Sequence, residues 1–342
     1  MKGRDVKVLV TGGTGFVAGW AMALLLGRGD SVRTTVRSGS SEARVRAMLP
    51  EAGDRLEIAI ADLTDDAGWA EAMAGVDAVL HIASPLGHAG STEVELIAAA
   101  EGGTLRVRAA VAARVPRIVM TSSGAAATPP QGAEGLFDET LWTDPGQRDL
   151  DGYRRSKALA ERAAWDRIGT QSSTTLTTIL PGAIFGPLRP GQAAGSAGII
   201  QRMMQGLPGV PRVGLRVVDV RDVARAHLLA LDNPAAAGRR FIVVGDLLWM
   251  REVADILRER FPGIVKKAPR ELPDWLVRTA ARFQPELRTL VPMLGRRYSY
   301  STAAAREVLG WRPRPSREVI VDTAQSLIDL GLVGERADAG PP

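Results

Sequence analysis

Short apolar runs alternate with longer stretches of helical periodicity through the first 185 residues of this 342-residue chain. The runs are VKVLV (6–10), SVRTTVR (31–37), LEIAIAD (56–62), DAVLHIA (77–83), RIVMTSS (117–123) and TLTTILPG (175–182). Each is short and continuously apolar or β-branched, the pattern of a strand covered on both faces. Helical stretches lie between them, near 15–28, 41–49, 67–74, 91–113 and 153–168. This strand–helix alternation predicts an α/β fold, a doubly wound parallel sheet with right-handed crossovers.

Beyond Pro181 the alternation loosens. GPLRPGQAAGSAG (186–198) is rich in Gly and Pro and reads as a mobile loop. LRVVDVRDVARAHLLAL (215–231) reads as a strand running into a helix, and GRRFIVVG (238–245) as a further strand. MREVADILRERFPG (250–263) is an amphipathic helix ended by Pro-Gly. Pro interruptions at 269–292 predict short helices, and 301–311 and 316–332 complete the fold. The expected division is a first domain over 1–185, with 215–247 returning in part to it. A smaller, mostly C-terminal domain covers 186–214 and 248–334, and 335–342 form a disordered tail.

Composition narrows the chemistry. With no Cys, the chain has no disulfide, thiolate nucleophile or Cys metal site, and cytoplasmic location is expected from the fit to a reducing compartment. Its three His are too scattered for a His metal motif, so no metal is expected. The net charge of +5 comes from Arg spread along the chain, with no basic block, so no nucleic-acid partner is expected. No apolar run approaches the length of a spanning helix. The start, MKGRDVKVLV, enters a strand directly, so neither a signal peptide nor a membrane partner is expected.

TGGTGFVAGW (11–20) follows the first strand and opens a helix. There Gly12 permits a tight turn and Gly15 lets backbone approach a pyrophosphate. The helix N-terminus then offers N–H groups and its dipole to phosphate, with Thr14, Phe16 and Val17 alongside. Ala18 and Gly19 are small enough for close helix–sheet packing. An NAD site places an acid at the end of the second strand, against the ribose hydroxyl. Here Arg37 stands there, with Arg33 and Arg44 nearby. A guanidinium clamps a 2′-phosphate, so NADPH is expected over NADH, with Arg37 the main contact and Arg44 the second. Arg33 alternates along the strand and is expected to point elsewhere. Asp62 and Leu63 follow the third strand, where Asp62 is expected to hold an adenine amino group, to cap a helix, or to do both. Ile82, Ala83 and Ser84 would line the cofactor with small residues, while His81 reads as a packed strand residue.

Tyr153 and Lys157 stand four residues apart in YRRSK, on one face of a helix. A cation close to a phenol favours the phenolate and draws the Tyr pKa down, making Tyr153 a proton donor near neutral pH. The alternative is a surface Tyr and a solvated Lys.

These segments together resemble the extended short-chain dehydrogenase/reductase family, and most closely its dihydroflavonol reductase-like branch, with cinnamoyl-CoA reductases and microbial carbonyl (aldehyde) reductases. The resemblance runs in order through VTGGTGFVAGW, SVRTTVR, ADLTDD, HIASP, RIVMTSS, FDETLWTD, YRRSKALAERAAW, TTILPGAIFGP and VVDVRDVARAHLLAL, within residues 6–245. It implies a Rossmann-type dinucleotide-binding domain followed by a substrate-binding domain. It implies that Ser123, rather than Ser122, hydrogen-bonds the substrate carbonyl, that Tyr153 delivers the proton, and that Lys157 holds the nicotinamide ribose and tunes Tyr153. Pro181, Ala183 and Ile184 would wrap the nicotinamide, and Pro85, Leu86, Gly124, Ala125 and Phe185 would line the substrate pocket. Where the family often carries an Asn in the helix after the fourth strand, this chain has alanine at 98–100. Relatives are monomers or homodimers built on helices 91–113 and 153–168.

The expected reaction is NADPH-dependent reduction of a ketone or aldehyde. The alternatives are an NAD-dependent nucleotide-sugar epimerase or dehydratase, which would want an acid in place of Arg37, and a non-catalytic NADP-sensing regulator.

Overall fold

The computed structural model describes residues 6–84, 102, 106, 108–147, 150–169 and 173–334. Its strands are β1 (Lys7–Val10), β2 (Ser31–Val36), β3 (Leu56–Ile60), β4 (Ala78–His81), β5 (Arg117–Thr121), β6 (Gly135–Phe137), β7 (Thr175–Pro181), β8 (Ala183–Phe185), β9 (Gly209–Pro211), β10 (Gly214–Asp219), β11 (Arg240–Val243), β12 (Leu247–Trp249), β13 (Arg270–Leu272) and β14 (Tyr298–Tyr300). The helices used below are α1 (Phe16–Gly27), α2 (Glu42–Met48), α3 (Trp69–Met73), α4 (Gly152–Ile168), α5 (Ala197–Met204), α6 (Val220–Asp232), α7 (Met250–Arg260), α8 (Asp274–Ala280), α9 (Pro285–Arg288), α10 (Ala303–Leu309) and α11 (Ser316–Asp329). Of the helix expected over 91–113, residues 108–112 are described and helical; the rest lies almost wholly outside the described residues, as does the tail from 335.

Every apolar run of the first 185 residues becomes a strand of one seven-stranded parallel sheet, in the order β3-β2-β1-β4-β5-β7-β11. The run at 238–245 supplies the edge strand β11. Alternating residues of β1 show why the runs are continuously apolar: Val8 and Val10 enter one core and Leu9 enters another. The first core lies against α1 and α6, with Met22, Leu25, Val223 and Phe241 buried, and the second lies under Trp69, Met73, Ala164 and Leu176. Strand order reverses between β1 and β4, and a crevice at such a switch point is where ligands of open α/β sheets bind.

A separate hydrophobic cluster gathers Phe185, Ile200, Met203, Val217, Val253, Leu257, Ile320 and Leu327 from α5, β10, α7 and α11. It is built from the later half of the chain, around the three-stranded sheet β12-β10-β8. Two features depart from the sequence expectation. Residues of α10 and Trp311 pack into the first core rather than the C-terminal one, and Trp311 Nε1 donates to the Asp222 carbonyl of α6 at 2.8 Å. The Gly/Pro-rich segment 186–198, expected as a mobile loop, is tied to α1 and α2. Trp20 Nε1 donates to the Pro187 carbonyl at 2.9 Å, Arg189 Nε to the Met48 carbonyl at 2.8 Å, and Gln192 Nε2 to the Gly15 carbonyl at 2.9 Å. Gly19 makes the last contact possible, because a Cβ there would lie 2.5 Å from Gln192 Nε2. The Gly and Pro residues set the path of a bracket whose polar side chains do the fastening.

Candidate active site

The turn after β1 forms the floor of the crevice. Gly12 takes φ +77°, a left-handed conformation that favours glycine, and a Cβ there would sit 3.0 Å from Ala83 Cβ. Gly13, which the sequence reading passed over, is as constrained: its Cβ would lie 2.6 Å from Thr34 Oγ1 of β2. Thr11 Oγ1 accepts from the Ile82 and Ala83 N–H groups at 3.0 and 2.9 Å and bonds His81 Nδ1 at 3.1 Å. His81 is therefore a buried strand residue that joins the ends of β1 and β4. Gly15 is the N-cap of α1, which has no side-chain cap and no acidic residue in its first turn. Its leading N–H groups and positive dipole end are thus available to an anion. Thr14 and Phe16 are half-buried, and the Val17 side chain is buried in the first core, which leaves its backbone N–H for a ligand.

Arg37 follows β2, is exposed, and makes no hydrogen bond or ion pair among the described residues. Arg33 points away, as expected: it pairs with Glu57 and donates to the carbonyls of Glu71, Ala72 and Ala74 at the end of α3. Arg44 is exposed on α2, with its stem 3.3 Å from where a Cβ on Gly191 would lie. Asp62 Oδ1 accepts from Thr64 N at 2.8 Å and Thr64 Oγ1 at 2.7 Å. This corrects the helix-cap alternative for Asp62, because α3 starts at Trp69 with Gly68 as its N-cap. The two Thr64 bonds hold the Asp62 carboxyl below the usual range, and the charges of Arg37 and Arg106 act in the same direction. Leu63 beside it is half-buried.

At the other end of the crevice, β4, β5 and α4 bring four polar side chains together. Ser123 leaves β5 in extended backbone and accepts from Ala125 N at 3.1 Å, and its hydroxyl stands on the side of Tyr153, where it favours the phenolate. Lys157 Nζ donates to Ser84 Oγ and lies 5.5 Å from the Tyr153 ring centroid. Asp151 starts α4 by capping Arg154 N at 3.0 Å, which sets where Tyr153 enters the helix. Ser122 is turned the other way, donating to Glu161 Oε2 at 2.7 Å in the interior. Of the two serines, Ser123 is the one whose hydroxyl acts on Tyr153.

The electrostatics correct one expectation. Lys157 was expected to draw the Tyr153 pKa down. Burial instead pushes the Tyr153 hydroxyl above the ordinary phenol range, against the opposing effects of the Ser123 hydrogen bond and the Arg154 charge. The Tyr153 side of the crevice is still open to solvent, since the residue is 36 % exposed. Lys157 is spent on Ser84, and burial lowers its own pKa to about 8. The sign of the stability effect follows. Between about 8 and 10.5 the unfolded chain holds the Lys157 proton and the native chain does not, so this group's contribution to stability rises with pH there. Below that window the native state carries a buried ammonium at a cost of up to about 3 kcal/mol. Lys157→Met is therefore expected to raise the melting temperature at about pH 7, with the gain shrinking toward pH 10. Equal destabilisation by the substitution at both pH values would contradict this.

The remaining sequence-predicted residues fall as follows. Pro181 is buried at the end of β7, Ala183 and Ile184 are half-buried on β8, and Ile82, Ala83 and Ser84 follow β4 beside the glycine turn. Gly124 is buried, its carbonyl accepting from the Tyr300 hydroxyl at 2.9 Å, and Ala125 is half-buried. Phe185 is corrected: at 0 % exposure it belongs to the C-terminal core and lines no open pocket. Alternation along β8 sends Phe185, with Ala183, toward the C-terminal core and Ile184 toward the first. Pro85, Leu86 and Ala98–Ala100 lie outside the described residues. Among the described residues there is no group of His, Cys, Asp and Glu suited to a metal, and no helix long and apolar enough to cross a membrane. The sequence reading missed Gly13, Gln192, Glu161 and Arg240. Glu161 was visible as the next same-face position after Tyr153 and Lys157; the others carried no local signal.

Residues 8–245 match the model of the NAD dependent epimerase/dehydratase family. The chain belongs to this family. Several of its relatives are named as reductases of the branch that the sequence resembles. Cinnamoyl-CoA reductase CAD2 of Medicago truncatula is 35 % identical over 267 residues, 75 % of this chain and 81 % of that protein. An anthocyanidin reductase of Vitis vinifera is 33 % identical over 287 residues, covering 78 % of this chain and 83 % of its own. Among solved structures, Gre2 of Candida albicans in complex with NADPH is similar with a TM-score of 0.79 and 26 % identity, over 95 % of this chain and 99 % of that one.

Proposed function

We propose that this family member catalyses NADPH-dependent reduction of a ketone or aldehyde to an alcohol, with Tyr153 as proton donor. The observation that carries the reading is the grouping of Ser123 after β5 with Tyr153 and Lys157 on α4, and of Lys157 with Ser84 after β4, the strand next to the reversal of sheet order. The residues present fit the cofactor. The uncapped N-terminus of α1 with Gly12 and Gly15 suits a pyrophosphate, Arg37 has its guanidinium free for a 2′-phosphate, and Asp62 is ionised for the adenine amino group. The Candida relative solved with NADPH, and relatives named as reductases, support the same choice.

When bound, NADPH supplies the hydride. Ser123 donates a hydrogen bond to the substrate carbonyl oxygen, and Tyr153 delivers its proton to that oxygen as negative charge develops. The raised Tyr153 pKa keeps the hydroxyl protonated and ready to donate in the reductive direction. Lys157, near its own titration at about 8, holds the ribose side and supplies positive charge as Tyr153 gives up its proton. Gly124 and Ala125, next to Ser123, are small apolar residues that suit an aryl or alkyl carbonyl compound. The C-terminal cluster around Phe185 and α11 would form the body of the substrate-binding part.

The test is a panel of aryl ketones, aldehydes and β-keto esters followed by NADPH absorbance, with NADH as the control. Turnover of at least one carbonyl compound with NADPH preferred is expected. Tightly held NAD after purification, with no carbonyl turnover, would move the reading to an epimerase or dehydratase.

A further inference from the structure

Glu161 stands four residues beyond Lys157 and eight beyond Tyr153, on the same face of α4. It is fully buried, at 0 % exposure, against three neighbouring strands. Oε2 accepts from Ser122 Oγ at the end of β5 at 2.7 Å, and Oε1 accepts from Thr178 Oγ1 of β7 at 2.7 Å. Arg240 of β11 grips the same carboxylate with two bonds, Nε to Oε1 at 2.9 Å and Nη2 to Oε2 at 3.1 Å. The rest of the guanidinium donates to the carbonyls of Glu139 at 2.6 Å, Leu141 at 2.8 Å and Ala126 at 3.3 Å. All its N–H donors are thereby used, and the Trp142 ring stacks on it, 3.6 Å from Cζ to the ring centroid.

A buried ion pair is poor evidence for stability, since well-packed apolar residues of similar size often serve as well. What this pair supplies is direction. It fastens the helix that carries Tyr153 and Lys157 to Ser122, the chain neighbour of Ser123, and to Ala126 in the turn that follows Ser123. On extended backbone, adjacent side chains leave to different sides, so anchoring Ser122 inward aims Ser123 into the crevice.

We propose that the buried Glu161–Arg240 pair, acting through Ser122, holds the proton-donating helix in register with the Ser123 strand end, so that both hydroxyls converge on one carbonyl oxygen. Glu161, Arg240 and Ser122 are positioning residues, and the inference rests on the reductase reading above. A misplacement near 1 Å can cost about 100-fold in rate, so a partial loosening is expected to cost roughly tenfold.

Ser122→Ala removes one tie and leaves the ion pair intact. The expected result is a kcat about tenfold lower, with NADPH affinity and melting temperature close to wild type. A second readout needs no substrate. The chain has only three tyrosines, so ultraviolet difference titration against Tyr153→Phe isolates the Tyr153 phenolate. The groups facing Tyr153 are Lys157, Arg154 and Asp151 on α4, and Ser123 and Ser84 at the strand ends. Ser122→Ala leaves each in the sequence but frees Ser123 to turn from Tyr153, whose phenolate its hydroxyl favours. The Tyr153 titration should therefore move up by about half a pH unit or more. The double variant Glu161→Met/Arg240→Met should show the same two changes. If it fails to fold, Ser122→Ala decides alone. A folded Ser122→Ala protein with wild-type kcat and an unmoved Tyr153 titration would overturn the proposal and leave the pair a structural one. An active Tyr153→Phe enzyme would instead overturn the reductase mechanism itself.

Discussion

Tyr153→Phe is expected to lower kcat by 100- to 1000-fold or more while leaving NADPH affinity within about twofold. The ring remains, so its contact with the Lys157 ammonium survives, and only the hydroxyl is lost. No other phenol takes its place: Tyr300 spends its hydroxyl on the carbonyls of Gly124 and Ala127 at 2.9 and 3.0 Å, and Tyr298 is buried. Steady-state kinetics on the best substrate of the panel, together with NADPH fluorescence titration, separates chemistry from binding. Retention of more than about a tenth of wild-type kcat would remove Tyr153 from the role of proton donor.

Arg37→Ala is the second large effect. A hydrogen bond to a charged group contributes about 1.5–3 kcal/mol, so NADPH affinity should fall roughly 10- to 100-fold while NADH affinity changes little. The contrast should weaken as salt is raised, because the Arg37 site is exposed and screened. Stability should change little, since Arg37 makes no hydrogen bond or ion pair among the described residues and acts on Asp62 only through its charge. Parallel titrations with the two cofactors read this directly, and equal losses for both would remove Arg37 as the basis of the preference. Arg44 lies further out on α2 against Gly191, so Arg44→Ala should have the smaller effect.

Much of the dinucleotide half was legible. β-branched runs of a few residues separated by helical stretches leave a parallel sheet as the arrangement that covers both faces of every strand, and each such run became a strand. The glycine turn was legible because its constraint is local: Gly12 needs a positive φ whatever the rest of the chain does. The choice of Ser123 over Ser122 came from resemblance; in the structure Ser122 is held inward by Glu161. The segment 186–198 misled because Gly and Pro report only that the chain bends. Gln192, Arg189 and Trp20 find their partners on elements far away in sequence.

The sequence by itself determined the strands and their parallel winding, the glycine turn, and the placing of Tyr153 and Lys157 on one helix face. All of these depend on residues within a few positions of one another, where backbone geometry leaves few choices. The tertiary structure decided what distance along the chain conceals. Burial, which no spacing encodes, sends the Tyr153 pKa up and that of Lys157 down to about 8. Phe185 turns into a core rather than a pocket because of what packs beneath β8. The grip of Arg240 on Glu161 joins residues 79 apart, and only the closed sheet brings them together with the serine they help to aim.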